Sequence, residues 1–174
     1  MCGSLRDGST NAAVLRTALA VAPEGIACRL YEGLDALPHF NPDDDWEPLP
    51  APVVDLRAGI AEADAVLFCT PEYAGALPGS FKNLLDWTVG GGEVYGRRVA
   101  WINASGLPTG AADAHASLRK VLGYLATEIV EDACVHIPVP REAVGEDGLI
   151  ADPQLRAQIA DALTTLAGPS TPAP

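Results

Sequence analysis

Positive charge is scarce in this chain. Eleven Lys and Arg stand against 23 Asp and Glu, a net charge of −12 over 174 residues. That balance disfavours nucleic acid and anionic membrane as partners. Cysteine is confined to Cys2, Cys28, Cys69 and Cys134, far apart and without a CxxC. Such spacing argues against a zinc centre or a disulfide scaffold and suits a reducing cytoplasm. No run of eighteen apolar residues occurs, so no membrane span is expected. Neither a basic region nor an apolar stretch follows Met1, so no signal peptide is expected. His39, His115 and His136 lack metal-ligand spacing, and no Gly-x-Ser-x-Gly elbow is present. The run Asp43-Asp44-Asp45 reads as a solvated loop.

What remains is a chain nearly half apolar, long enough for one domain with a sizeable core. Helical spacing places Val14, Leu15, Ala18, Leu19 and Ala22 on one face of a helix over residues 10–22. Alternation predicts a strand over 26–31. Residues 33–52, rich in Pro and Asp, read as a surface loop. Helices are expected over 53–63, 79–89 and 112–126, and buried strands over 65–70, 99–103 and 133–139. Phe81, Leu84, Leu85 and Val89 share a face of the second of these helices. Asp152 caps a last helix with Pro153 in its first position. The domain is expected to run over 1–167, with residues 168–174 a disordered tail. Apolar strands alternating with amphipathic helices predict an α/β fold, a parallel sheet with helices on both faces.

Ligands in such sheets bind beyond the carboxyl ends of the strands. Three loops rich in Gly, Ser, Thr and Pro leave those ends, over 3–11, 71–79 and 104–111. The first, GSLRDGSTN, offers the hydroxyls and amides of Ser4, Ser9, Thr10 and Asn11, the charge of Arg6, and a helix N-terminus. Together they make an anion site. It is neither a P-loop nor GxGxxG, so a single phosphate monoester suits it better than a triphosphate or a pyrophosphate. The second loop, within TPEYAGALPGSFKNLLDW (70–87), takes a compact path whose peptide groups can meet the polar edge of a flat ring, with Tyr73 beside it. Trp87 reads as core, and Lys82 with Asp86 as a surface pair. The third loop supplies Ser105, Gly106, Thr109 and Gly110. Cys69 reads as a buried small hydrophobe.

These loops, with GEDGLIADPQL at 145–155, resemble the NADPH-dependent FMN reductase family of flavodoxin-like proteins, over nearly the whole chain and in the same order. The resemblance implies a three-layer flavodoxin-like sandwich that binds FMN, with NADPH or NADH as donor. By similarity, Ser4, Arg6, Ser9, Thr10 and Asn11 would hold the phosphate. Pro71, Glu72, Tyr73, Ala74 and Gly75 would flank the isoalloxazine, and Ser105 and Gly110 would close the site. Hydride would pass from nicotinamide to flavin N5, and the electrons to a small acceptor such as a quinone, with no acid–base pair required. A homodimer or homotetramer is implied, with Phe81 and Trp87 candidates for its surface.

Three departures stand out. Ala74 occupies a position where the family usually has Asn, and Ala111 one where it usually has Gly. In the family an internal strand of about five residues leads into the first loop, whereas here only Met1 and Cys2 precede it. The first strand is therefore expected to be missing or truncated. A start further upstream is the favoured explanation, ahead of closing up of the neighbouring strands (or a strand supplied by a partner) and of a degenerate product that binds no flavin.

Overall fold

The computed structural model describes residues 1–168. The tail expected from 168 onward lies, from 169, outside the described residues. Five helices and a small parallel sheet follow one another: α1 (Thr10–Ala20), α2 (Ala51–Ala61), β1 (Ala65–Phe68), α3 (Gly79–Asp86), β2 (Arg98–Asn103), α4 (Ala112–Tyr124), β3 (Glu128–Ile129), β4 (Val135–His136) and α5 (Pro153–Ala167).

β2 is the middle of the sheet, and its four inner residues are buried. β1 pairs with it in parallel, Ala65 opposite Arg98 through Phe68 opposite Trp101. On its other side β3 and β4 pair with it in turn, Val99 opposite Ile129 and Asn103 opposite His136. The strand expected over 133–139 is thus one end of an edge strand interrupted by a 3₁₀ turn at Glu131–Ala133. Its backbone follows β2 a little further, Ile137 N–H donating to Asn103 O and Val139 N–H to Ala104 O.

Two layers of apolar side chains sandwich this sheet. Val53, Leu56 and Ile60 of α2, Phe81, Leu84 and Leu85 of α3, and Leu118 and Leu122 of α4 pack with Phe68 and Trp101 on one face. Val14, Leu15 and Ala18 of α1 pack with Ile159, Ala162 and Leu163 of α5 on the other, over Cys69 and Ile102. This is the three-layer arrangement expected. Asp152 caps α5 as predicted, its carboxylate accepting from Gln154 N–H at 2.8 Å and Leu155 N–H at 3.0 Å.

Two expectations about α3 need correction. The helix stops at Asp86, so Val89 leaves the apolar face and is 60% exposed. Phe81 and Trp87 are wholly buried in the chain's own core, so neither offers a surface to a second subunit. Trp87 is core, and it also pins the long loop: its Nε1–H donates to Pro38 O at 2.8 Å, and Phe40 meets its ring edge-on at 5.0 Å. Asn83 holds the same loop, donating to Pro38 O and accepting from Phe40 N–H. Lys82 and Asp86 form the expected surface pair at 2.5 Å.

Residues 26–31 are not a hydrogen-bonded strand. The reason lies beside them. Met1, Cys2 and Gly3 run along the free edge of β1 and its continuation, with Cys2 bridged in parallel to Cys69. The Met1 amine donates to Leu67 O at 2.6 Å, Cys69 N–H to Met1 O at 3.2 Å, and Gly3 N–H to Cys69 O at 2.9 Å. Ahead of Met1 a cleft of about 600 Å³ separates residues 25–31 from β1, walled by Leu15 and Leu19 of α1 and Leu163 and Leu166 of α5. An alternating segment becomes a strand only when a second edge lies within hydrogen-bond reach, and none does here.

Candidate functional site

The first loop is fixed at both ends. Gly3 is buried, and a Cβ on it would collide with the Thr70 side chain and come within 3.0 Å of the Phe81 ring. Only glycine allows this approach. Ser4 Oγ accepts from Arg6 N–H at 3.2 Å and shapes the turn, while Gly8 takes the left-handed φ of 64° that leads into the helix. Ser9 follows as N-cap of α1 with extended backbone, yet its side chain makes no cap hydrogen bond. The first amides of α1 thus have no capping side chain, and they carry the positive end of the helix dipole. Asn11 Oδ1 accepts the Cys69 thiol at 3.2 Å, leaving its NH₂ as donor. Arg6 is exposed, Ser9 is buried, and Ser4, Thr10 and Asn11 lie between. A side cavity of about 210 Å³ borders the loop, and Arg16, one turn along α1 from Ala12, lines it with Arg6. Sequence reading passed over Arg16, although its helical spacing from the loop was the available signal.

The second loop leaves the end of β1 through Cys69, Thr70 and Pro71. Tyr73 and Ala76 then exchange backbone hydrogen bonds, both at 3.1 Å, around a two-residue turn. Its central residues are Ala74 at φ 52° and Gly75 at φ 70°. Two successive positive φ values make this a type I′ turn, whose preferred sequence is Asn-Gly. Ala74 therefore sits where an asparagine would be at ease. Tyr73 is 52% exposed, on the open side of the turn.

The third loop leaves the end of β2 and is braced by Asn103. Its Oδ1 accepts from Ser105 N–H at 3.0 Å, and its Nδ2 donates to Gly110 O at 2.9 Å. Gly110 packs against Ser105 so closely that a Cβ would overlap the hydroxyl. Ser105 O in turn meets His136 Nε2 at 2.8 Å. Ala111 is the N-cap of α4, in the left-handed region at φ 59°. Alanine has no side chain that could cap, and Glu72 of the second loop fills the role. Its Oε2 accepts from Asp113 N–H and Ala114 N–H, each at 3.0 Å. Glu72, expected beside the ring, is thus engaged at a helix terminus.

Two histidine and cysteine environments complete the site. Desolvation pushes the Cys69 thiol well up, so it is no nucleophile at neutral pH and behaves as the small buried hydrophobe expected. His115, in the first turns of α4, is buried, and desolvation lowers its pKa. Its Nδ1 lies 2.6 Å from Ala111 O, which requires the Nδ1–H tautomer, and its Nε2 is buried without a partner. No cluster of His, Cys, Asp and Glu able to hold a metal occurs among the described residues.

All three loops meet along one edge of the sheet. The first and second flank the end of β1, joined by the Gly3–Thr70 contact and the Cys69–Asn11 hydrogen bond. The second and third are joined by Glu72. The resulting donor set is neutral hydroxyls, amides and one or two arginines beside open backbone, and it contains no acid–base pair.

The chain is similar to known proteins over most of its length. The chain matches the family described as NADPH-dependent FMN reductase over residues 1–139. It is 33% identical over 166 residues to an NAD(P)H-dependent FMN reductase of Pseudomonas aeruginosa, spanning 94% of this chain and 89% of that one. A quinone reductase of Pseudomonas putida is 36% identical over 138 residues, 79% of this chain and 69% of the other. Among solved structures, the flavoenzyme NAD(P)H:(acceptor) oxidoreductase FerB from Paracoccus denitrificans superposes with a TM-score of 0.81 at 31% identity, covering 96% of this chain and 94% of that one. All three loops lie inside the matched span, and the chain belongs to the NADPH-dependent FMN reductase family.

Proposed function

We propose that this chain is an FMN-dependent NAD(P)H oxidoreductase acting on a quinone-like or other small acceptor. The observation that carries the reading is the meeting of the three loops at one sheet edge, with an uncapped helix N-terminus in the first. The residues present fit the cofactor. A phosphate monoester finds the free amides of α1, the hydroxyls of Ser4, Ser9 and Thr10, the NH₂ of Asn11 and the charge of Arg6. These local donors offset the acidic field of the whole protein. The backbone of Pro71, Glu72, Tyr73, Ala74 and Gly75 would border the ring, and Ser105 and Gly110 would close the far side.

When bound, FMN supplies the electron chemistry, taking hydride from a nicotinamide and giving electrons to the acceptor. The chain's own work is to hold and orient. Arg6 and the α1 amides fix the anionic end. The type I′ turn sets the height of one wall, and Asn103 sets the shape of the other. None of these residues has to move a proton.

A homodimer or homotetramer is part of this proposal. With Phe81 and Trp87 inside the core, the exposed Val89 and Tyr95 in the segment after α3 support that part of the molecule as the contact surface. Cytoplasmic location is likewise proposed, supported by four free cysteines. No helix among the described residues is long and apolar enough to cross a membrane.

The test is an FMN titration of the purified chain by flavin fluorescence, then anaerobic oxidation of NADPH or NADH with benzoquinone as acceptor. Saturable binding and quinone-dependent turnover are expected. A protein that stays colourless with excess FMN overturns the reading. One that binds FMN but turns over neither nicotinamide is an electron carrier instead.

A further inference from the structure

We propose that Glu72 is a positioning residue that locks the second and third loops into one rigid wall. The proposal rests on the FMN reading for its consequence, since that wall would border the flavin, but the lock itself is a property of the chain alone.

Three features on the page lead there. The first is the position of the two hydrogen bonds. Ala111 is the N-cap of α4, so Asp113 and Ala114 are the second and third helical residues. Their N–H groups are the pair that a Ser, Thr, Asp or Asn at the N-cap would normally satisfy. Here both go to one oxygen from a residue about forty positions earlier, Glu72 lying 41 and 42 residues from them in sequence. A charged acceptor on two amides at a helix N-terminus is stronger than a neutral cap, because the helix dipole favours it.

The second feature is strain. Among the described residues, three non-glycine positions have positive φ: Ala74, Ala111 and Ala126. Two of the three lie in the loops that Glu72 joins. Ala74 stands two residues after Glu72, and Ala111 stands two before Asp113. An alanine in the left-handed region persists only where its surroundings over-determine it. The third feature is the lack of any other cap. The α4 N-cap makes no side-chain hydrogen bond of its own, and besides Glu72 this end of the third loop is held by Asn103 Nδ2 donating to Gly110 O and His115 Nδ1–H donating to Ala111 O, neither of which satisfies the helix amides.

Losing the carboxylate would therefore free two helix amides and leave the strained Ala111 held by the His115 hydrogen bond alone on the helix side. The third loop would detach from the second without any change to the first, where the phosphate donors are. Gln at this position keeps an acceptor oxygen and loses only the charge. Ala keeps neither.

The experiment compares Glu72→Ala, Glu72→Gln and Glu72→Ala combined with Ala111→Gly. Amide hydrogen exchange is followed at Asp113 and Ala114 without FMN, and FMN affinity is measured at a temperature where every variant is fully folded. Glu72→Ala should speed exchange at both amides and weaken FMN about fivefold to tenfold, the range set by losing an N-cap. Glu72→Gln should stay within about threefold of the parent chain, since the acceptor is retained. Ala111→Gly should restore part of the affinity, because glycine takes the left-handed conformation without strain. Unchanged exchange at Asp113 and Ala114 in Glu72→Ala overturns the lock. Faster exchange with unchanged FMN affinity overturns the positioning role. A parent chain that binds no FMN sinks the proposed function instead, and the exchange data then decide the lock by themselves.

Discussion

Ala74→Asn should make the protein more stable, although it adds a polar side chain to an exposed loop and no new contact. The turn at Tyr73–Ala76 is closed by two backbone hydrogen bonds at 3.1 Å, and Ala74 holds φ at 52° within it. Left-handed backbone costs an ordinary L-residue about 1–2 kcal/mol. Asparagine is several-fold enriched there, which corresponds to a gain of about 0.6–1 kcal/mol over alanine. In a domain of this size that raises Tm by roughly 1–4 °C. Ala74→Gly removes the strain too, but it returns about 0.4–1 kcal/mol to the unfolded chain as entropy, so its gain is smaller. Ala76→Asn is the control, an exposed alanine three residues from Tyr73 in the same turn whose φ is not positive. Thermal and urea unfolding of the three variants would decide. If Ala74→Asn were no more stable than the parent while Ala76→Asn matched or exceeded it, strain at Ala74 would not be what the turn carries.

Three further outcomes follow from the packing. Gly3→Ala drives a methyl into Thr70 where the first loop meets β1, and should lower stability by about 1–3 kcal/mol while also weakening FMN, both readable in one titrated melt. Arg57→Ala removes both donors to Trp87 O, at 3.0 and 2.8 Å, and the partner of Asp45 at 2.6 Å; about 3–5 kcal/mol should be lost in urea unfolding, with no specific effect on FMN affinity. Stability should rise with pH through two windows. Burial lowers the His115 pKa below its ordinary value of 6.5 and brings the Met1 amine from 8.0 to about 6. In each window the unfolded chain binds more protons than the folded one, so raising pH favours folding. His115→Gln should flatten the slope below pH 6.5 and leave the slope from there to about pH 8, which belongs to the Met1 amine, intact.

Much of this fold is legible in the sequence because its signals are local. The stripe Val14, Leu15, Ala18 needs only its own helix, and Asp152-Pro153 announces α5 by cap chemistry alone. Residues 26–31 alternate as a strand does, yet pairing is decided by whether a second edge lies alongside, and the edge of β1 lies across the cleft from them. The strand expected over 133–139 is only one end of the edge strand, and the 3₁₀ turn at Glu131–Ala133 that divides it has no Gly or Pro to mark it. The end of α3 is not legible, because Val89 keeps the helical spacing while the helix stops at Asp86 and Trp87 turns inward to meet Pro38. At the site, the residue types were visible and their partners were not. Glu72 stands out by its motif, but its hydrogen bonds span about forty residues. Ala74 and Ala111 were visible as departures from a family pattern. Only the backbone reveals that both fall at positive φ, which is why asparagine and glycine suit those places.

The same backbone accounts for how the first loop keeps its shape. A phosphate loop needs a fixed exit point, and the strand ahead of it supplies that point through its last residues. Here those residues are present. Three hydrogen bonds tie Met1 and Gly3 to Leu67 and Cys69, the Gly3 backbone packs on Thr70, and Asn11 at the far end of the loop accepts from the Cys69 thiol. Both ends of the loop are therefore referenced to the carboxyl end of β1. The cleft begins on the other side of Met1, against Ala65, Val66 and residues 25–31. It is walled by the apolar faces of α1 and α5, whose packing governs stability. The geometry of the anion site depends instead on the end of β1, which β2 holds from the other edge. A substitution that widens the cleft at its α5 wall, such as Leu166→Ala, should accordingly lower Tm by several degrees and leave FMN affinity in the fully folded protein within about twofold, since additivity holds between sites that share no partner. A large loss of affinity in that variant would mean that the loop is positioned by the sheet's whole edge and not by its last three residues.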